Sequence, residues 1–216
     1  MPVIVPAPEA LKRLIDGNRR FVANVRSANS ITSQARRAEL VAAQNPFAIV
    51  LGCSDSRAPA ELIFDQGLGD LFVIRVAGNI VAPSQIASVE FAAERFGTRL
   101  VVVMGHSHCG AVEATLDAIL RPATTASGNL NSIVGRIRPA IEGLLTTELR
   151  EDRVALLKEA VRSNVRTATN SLRHGSQLLE QLILQHGLVV VGAEYQLETG
   201  VVEFFDPPQD YGAQIN

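Results

Sequence analysis

Apolar residues follow two rhythms that alternate along this chain. Between Ala7 and Val25, Leu11, Leu14, Ile15, Phe21 and Val22 recur at helical spacing and place one stripe on an amphipathic helix. A polar stretch from Ser27 to Ser33 ends that pattern. A second helix is predicted from Gln34 to Gln44, stopped by Asn45-Pro46 because a residue before proline avoids the helical region. Strand-length apolar runs then appear at Phe47 to Leu51, Leu71 to Val76 and Leu100 to Met104, with helical sequence from Gln85 to Phe96 between them. After a predicted loop at Arg121 to Asn129, helical sequence runs from Leu130 to Gln185, broken near Gly143 and His174-Gly175. Leu188 to Ala193 and Val201 to Phe205, joined by a turn containing Glu198-Thr199-Gly200, close the chain as a hairpin.

Strands that are apolar on both faces and alternate with helices predict an α/β fold: a mainly parallel β-sheet of about four strands, flanked by helices, plus an antiparallel edge strand. No composition break or fixed-period repeat divides the sequence, so residues 1–216 read as one domain, with an N-terminal helical arm over 1–45 and an α/β core over 46–216. No apolar run reaches the length of a membrane helix, and the opening MPVIVPAPEALKRL lacks the basic n-region of a secretory signal. A soluble, cytoplasmic protein is the expectation.

Charge narrows the function classes. Twenty Lys and Arg against 22 Asp and Glu leave a net charge of −2, which excludes a protein that recruits nucleic acid by bulk charge. With 47% hydrophobic and 19% charged residues, the chain can bury a core without staples.

The rarer residues carry the chemistry. There are two cysteines, and each follows an apolar strand directly, in LGCSDSR (51–57) and MGHSHCG (104–110). In open parallel sheets ligands bind beyond the carboxyl ends of strands, so two thiols there are candidates for one site. An extended chain past Gly52 would send Cys53, Asp55 and Arg57 to one side. His106 and Cys109, three apart, share one side of a helical turn or tight loop. Cys53 with His106 and Cys109 is a Cys₂His set suited to a catalytic zinc with its fourth position open. His108 would be a strained fourth ligand beside Cys109. Two buried inert thiols remain the alternative, and a Cys53–Cys109 disulfide is sterically conceivable, although cytosolic thiols stay reduced. The GHSHCG segment is one residue too long for a G-x-S-x-G nucleophile elbow, and no G-x-G-x-x-G or Walker A segment is present.

These motifs resemble those of the β-class carbonic anhydrases: C-x-D-x-R at Cys53 to Arg57, H-x-x-C at His106 to Cys109, FDQGLGDLFVIRVAGN at Phe64 to Asn79, and S-x-E-F at Ser88 to Phe91. The resemblance implies one Zn²⁺ per chain, held by Cys53, His106 and Cys109, and reversible hydration of CO₂ to bicarbonate by a zinc-held hydroxide. It implies that Asp55 accepts the proton of that oxygen and that Arg57 keeps Asp55 ionised and off the metal. In some members the equivalent of Asp55 becomes a fourth ligand when its Arg partner is lost, closing the site, so activity is expected to rise with pH. The resemblance also implies self-association as a dimer or dimer of dimers, with N-terminal helices that wrap a partner subunit.

Substrate contacts carried over by the same resemblance are Gln44, reaching across from a partner subunit, and Phe72 and Phe91 as apolar walls for CO₂. Ordinary solvation of Gln44 and core packing of the two phenylalanines are the bland readings. Some bacterial members hold an inhibitory bicarbonate with Trp, Arg and Tyr. The aligned positions here are Val50, Arg75 and Val191, so no such site is expected. His108 is placed near the site mouth as a proton relay or a solvated residue, while His174 and His186 read as surface or capping residues. Arg19-Arg20 and Arg36-Arg37 read as solvated faces or dimer contacts. A carbon disulfide or carbonyl sulfide hydrolase on the same scaffold, and a non-catalytic zinc-binding protein, are the rival functions.

Overall fold

A computed structural model describes residues 4–25, 34–121 and 128–205. Its centre is a five-stranded sheet in the order β2-β1-β3-β4-β5, with β1 at Ala48–Gly52, β2 at Leu71–Arg75, β3 at Leu100–His106, β4 at Val189–Tyr195 and β5 at Val202–Phe205. The first four strands pair in parallel, and β5 runs antiparallel to β4 with Gly192 opposite Phe205. The predicted sheet, including its antiparallel edge, is therefore the observed one.

Period-two alternation sends each strand's side chains into two layers. Val50, Leu100, Val102, Met104, Val189 and Val191 face one side, where helix α1 (Ala7–Val22) and the short α3 (Ala60–Ile63) lie. Ile49, Leu51, Val101, Val103 and Val190 face the other, under α4 (Pro83–Arg95), α7 (Arg153–His174) and α8 (Gln177–His186). On α1, Leu11 and Leu14 are fully buried, each side chain contributing about 2 kcal/mol by leaving water.

The stripe of α1 thus packs on this chain's own sheet. Asn18 clasps it there, donating to the carbonyls of Ile63 and Gly200 and accepting from the N–H of Val202. The arginines near this end are less solvated than the sequence suggests. Arg20 pairs with buried Asp65 at 2.5 Å, and Arg36 with Asp70 at 3.1 Å, so both tie helices to the body.

Helix α2 occupies Gln34–Leu40, shorter than predicted. None of its residues is buried, so nothing anchors an extension, and Gln44 sits in the irregular segment beyond it. Pro83 fits the first turn of α4 because its missing N–H would be unpaired there, and the helix starts two residues earlier than predicted. The sequence reading left a helix unassigned: α5 (Gly110–Leu120), which buries Val112, Thr115 and Leu116 at helical spacing. Most of the predicted loop at Arg121 to Asn129 lies outside the described residues; its end already belongs to α6 (Gly128–Ile141). The predicted breaks in the helical region appear as two 3₁₀ turns before α7 and a short break before α8. Among the described residues no helix is long and apolar enough to cross a membrane.

Candidate metal centre

Strands β1 and β3 are neighbours, so their carboxyl ends deliver Cys53 and His106 to the same place, and the loop after β3 returns Cys109 to them. The ligand atoms of Cys53, His106 and Cys109 lie within 4.8 Å of one another, all three residues being buried. Among the described residues this is the one cluster of at least three such side chains able to hold a metal ion. Both cysteines are free thiols, so the disulfide alternative is absent.

The donor set fits a cation on a direct structural test. His106 is fully buried, its Nδ1 lies 2.9 Å from the Ser107 carbonyl, and its Nε2 has no hydrogen-bond partner. A carbonyl can only accept, so Nδ1 carries the proton and Nε2 presents a lone pair to the two thiols. An orphaned buried nitrogen costs free energy unless something uses that lone pair.

One of the two thiols is also prepared for positive charge. A hydrogen bond from Cys109 holds Cys53 down at about 4, helped by His106 and by the amides of Asp55 and Gly78 at 3.4 and 3.3 Å from its sulfur. Cys109 keeps the shared proton and is pushed up, most by that same hydrogen bond and then by burial. Burial works against charging His106, but the negative charges of the adjacent Cys53 and Asp55 help to outweigh it, and the net shift is upward.

Glycine at 78 is required by geometry. Its φ of 68° lies in the left-handed region, and a Cβ there would stand 2.7 Å from Ile137. Asn164 Nδ2 donates to the Gly78 carbonyl at 2.8 Å, fixing the turn that aims its N–H at Cys53. Sequence reasoning gave neither residue a role, because the Asn164 contact joins positions 86 apart.

Asp55 and Arg57 meet beside the thiols, but not by strand alternation. The chain turns at Ser56–Arg57, and Asp55 Oδ1 accepts the Arg57 backbone N–H, so a local side-chain turn brings the pair together. Arg57 Nη2 also donates to the His108 carbonyl at 3.1 Å, linking the two motif loops. Asp55 Oδ2 lies 3.9 Å from His106 Nε2, within the same small space. Arg75 braces this loop from β2, donating to the carbonyls of Cys53 at 3.0 Å and Asp55 at 2.6 Å. Val50 and Val191 are fully buried in the core.

The carried-over substrate residues stand elsewhere within the chain. Phe72 is the second residue of β2, near the strand end opposite the thiols, and its ring is 6.2 Å from that of Phe91 and 6.0 Å from that of Phe96. Phe91 is 53% exposed. Gln44 lines a groove of about 1000 Å³ with Arg37, Leu68, Arg95 and Phe96. The three residues therefore border one surface region on the β2 side. His108 is exposed and paired with Glu198 at 2.7 Å, and His174 is exposed at the end of α7.

Comparison with known proteins agrees with this geometry. The family model described as carbonic anhydrase matches residues 48–202. Carbonic anhydrase 2 of Mycobacterium tuberculosis (strain H37Rv) is 37% identical over 206 residues, covering 95% of this chain and 96% of that protein. A carbonic anhydrase of Mycolicibacterium smegmatis is 39% identical over 203 residues, covering 94% and 95%. Among solved structures, the β-carbonic anhydrase CcaA superposes with a TM-score of 0.71 at 26% identity, covering 92% of each chain. A tetrameric β-carbonic anhydrase from Sordaria macrospora gives 0.70 at 25% identity, covering 78% of this chain and 85% of its own. The chain belongs to the β-class of the carbonic anhydrase family, a family of carbonate dehydratases.

Proposed function

We propose that this protein hydrates CO₂ reversibly to bicarbonate and a proton, with one zinc ion held by Cys53, His106 and Cys109. The observation that carries this reading is the unpartnered, buried Nε2 of His106 facing two thiols. Two thiolates and a neutral imidazole leave a fourth position free, the arrangement of catalytic rather than structural zinc sites. Bound there, zinc would supply the Lewis acidity that brings the pKa of water from about 15.7 towards roughly 7.

The remaining work falls to this chain's own side chains. Asp55, ionised, accepts only, so a hydroxyl group held at Oδ2 turns its lone pair towards the substrate carbon. Arg57 engages both carboxylate oxygens, which keeps Asp55 available as an acceptor and away from the fourth ligand position. Release of that grip would free Asp55 to close the site. An Asp–Arg pair beside an open position has no use in a non-catalytic zinc protein. Arg75 spends donors on the Cys53 and Asp55 carbonyls, and with Val50 and Val191 in the core this supports a protein without the inhibitory bicarbonate site.

Gln44, Phe72 and Phe91 serve the site of a partner subunit in this reading. Their common surface on the β2 side, away from their own thiols, supports it, as does β2's position at the sheet edge. The relative from Sordaria macrospora is tetrameric, in line with a dimer or dimer of dimers here. Of the N-terminal arm, α1 is seated on its own sheet, and α2, none of whose residues is buried, is the part that would reach around that partner in the same proposal. Two free thiols at the centre suit a reducing, cytoplasmic compartment.

Stopped-flow CO₂ hydration on purified protein of known zinc content tests the reading, with carbon disulfide and carbonyl sulfide turnover run in parallel. Hydration that rises with pH at about one zinc per chain is expected. Zinc near one per chain without hydration at alkaline pH would overturn it, and turnover of the sulfur substrates alone would move the activity to them. Sedimentation of the same sample reports the oligomer.

A further inference from the structure

Between His106 and Cys109 the chain passes through Ser107 and His108, and a distant turn holds both. Ser107 Oγ donates to Glu198 Oε2 at 3.2 Å, and His108 Nε2 lies 2.7 Å from Glu198 Oε1. A carboxylate only accepts, so Nε2 of His108 is the donor. The neighbouring backbone completes the clamp: the Leu197 N–H donates to Ser107 Oγ at 2.9 Å, and the Ser107 N–H to the Tyr195 carbonyl at 2.9 Å. His108 adopts a φ of 55°, left-handed for a residue with a Cβ. That backbone conformation sends Cys109 back towards Cys53 as the N-cap of α5.

We propose that Glu198 is a positioning residue for the metal: by accepting from Ser107 and His108 it holds the strained link between two ligands in the shape that binds zinc. The inference rests on the zinc reading above. Glu198 lies in the β4–β5 turn, 91 residues from Ser107, and belongs to neither ligand motif. The His108 and Glu198 side chains are both more than half exposed, so the pair adds little to global stability. Its effect is local, on the spacing of His106 and Cys109. The Ser107 carbonyl that fixes the His106 tautomer lies inside the clamped segment.

The test is zinc affinity at neutral pH, measured by competition with a chromophoric chelator, on wild type, Glu198→Ala, Glu198→Gln, Ser107→Ala and the double variant with both residues changed to Ala. Visible spectra of the cobalt(II)-substituted proteins report ligand geometry independently of activity. Glu198→Ala is expected to weaken zinc binding about tenfold, the scale of a lost outer-shell partner, and to shift the cobalt bands. Glu198→Gln, which keeps one acceptor oxygen, should lose less. The double variant should lose no more than the larger single change, because both residues act through one clamp. The metal-free proteins should unfold at the same temperature. Wild-type affinity and an unshifted cobalt spectrum in Glu198→Ala would overturn the inference, as would a loss matched by destabilisation of the metal-free protein. Wild type that holds no zinc at all would instead overturn the proposed function beneath it.

Discussion

Arg57 holds Asp55 at both carboxylate oxygens: its Nε and its backbone N–H each donate to Oδ1 at 2.9 Å, and Nη2 donates to Oδ2 at 2.7 Å. This grip holds the Asp55 carboxyl well below the usual carboxylate range. Because the folded value is depressed, folding favours the ionised form. The resulting stabilisation is present above the ordinary range and is lost as pH falls through the depressed value. Between about pH 6 and 9 Asp55 is therefore already charged, and a rise of activity across that window belongs to another group. Asp55→Asn keeps the shape but replaces an acceptor with a donor. Hydration should fall by about 10²–10⁴-fold with zinc content unchanged, read by stopped flow beside metal analysis. Wild-type rates in this variant would remove Asp55 from the chemistry.

Cys53→Ser and Cys109→Ser test the ligand set. These are the chain's two cysteines, so no spare thiol can substitute. Each variant should purify with far less than one zinc per chain and lose hydration, by metal analysis and the same rate assay. Each ligand binds a metal in its deprotonated form and Cys109 keeps the shared thiol proton, so uptake should release a proton and weaken as pH falls. Stoichiometric, tightly held zinc in either variant would show that the site uses other ligands.

Much of this was legible in the chain because short-range signals carried it. Runs such as LVVVM at Leu100 to Met104 read as buried strands by their length and β-branched content, and the chemistry follows two of them directly. What escaped the sequence depends on contacts far apart along it. Glu198 meets Ser107 and His108 only after β4 has docked beside β3, and Asn164 reaches Gly78 only from α7. Helix α5 escapes the sequence although Val112, Leu116 and Ile119 repeat at helical spacing, because its first residue is the last glycine of the GHSHCG motif. The pairing of Asp55 with Arg57 was expected, but from strand alternation; a side-chain turn produces it instead.

Glu194 on β4 is a buried carboxylate, with Arg162 Nη1 at 3.7 Å from Oε2. Burial pushes its carboxyl up, and Glu203 adds to this; Arg162, Lys158 and Gln196 oppose it. The folded state thus holds this proton more tightly than the unfolded state does. The contribution of Glu194 to stability falls as pH rises from the ordinary range through the raised value. Glu194→Gln removes that dependence. Denaturant unfolding should show the variant gaining on wild type as pH rises towards neutrality, with the difference shrinking to a constant near pH 4. A difference that does not vary with pH would show that Glu194 titrates in the folded protein as it does in the unfolded chain, so that burial does not raise its carboxyl.

Two glycine substitutions should move stability in opposite directions, and the contrast tests how α1 is seated. Gly17 lies where α1 crosses the end of α3, and a Cβ there would stand 1.8 Å from the Phe64 carbonyl oxygen. That atom is backbone and cannot rotate away, so Gly17→Ala must push α1 off the sheet or distort the Phe64 turn. Asn18 and Arg20 hold that same turn region, through Ile63 and Asp65. A cost of about 3 kcal/mol follows, a fall in melting temperature of about 10 °C for a chain of this size. Gly135 sits in the exposed face of α6 with nothing within 4 Å of its Cβ position. Gly135→Ala therefore removes only backbone freedom and should stabilise by about 0.5–1 kcal/mol. Calorimetry of both variants, in zinc-loaded protein, separates the two effects. A Gly17→Ala protein as stable as wild type would mean that α1 does not pack this closely on its own chain, and that its apolar stripe is free to cover a neighbouring subunit instead.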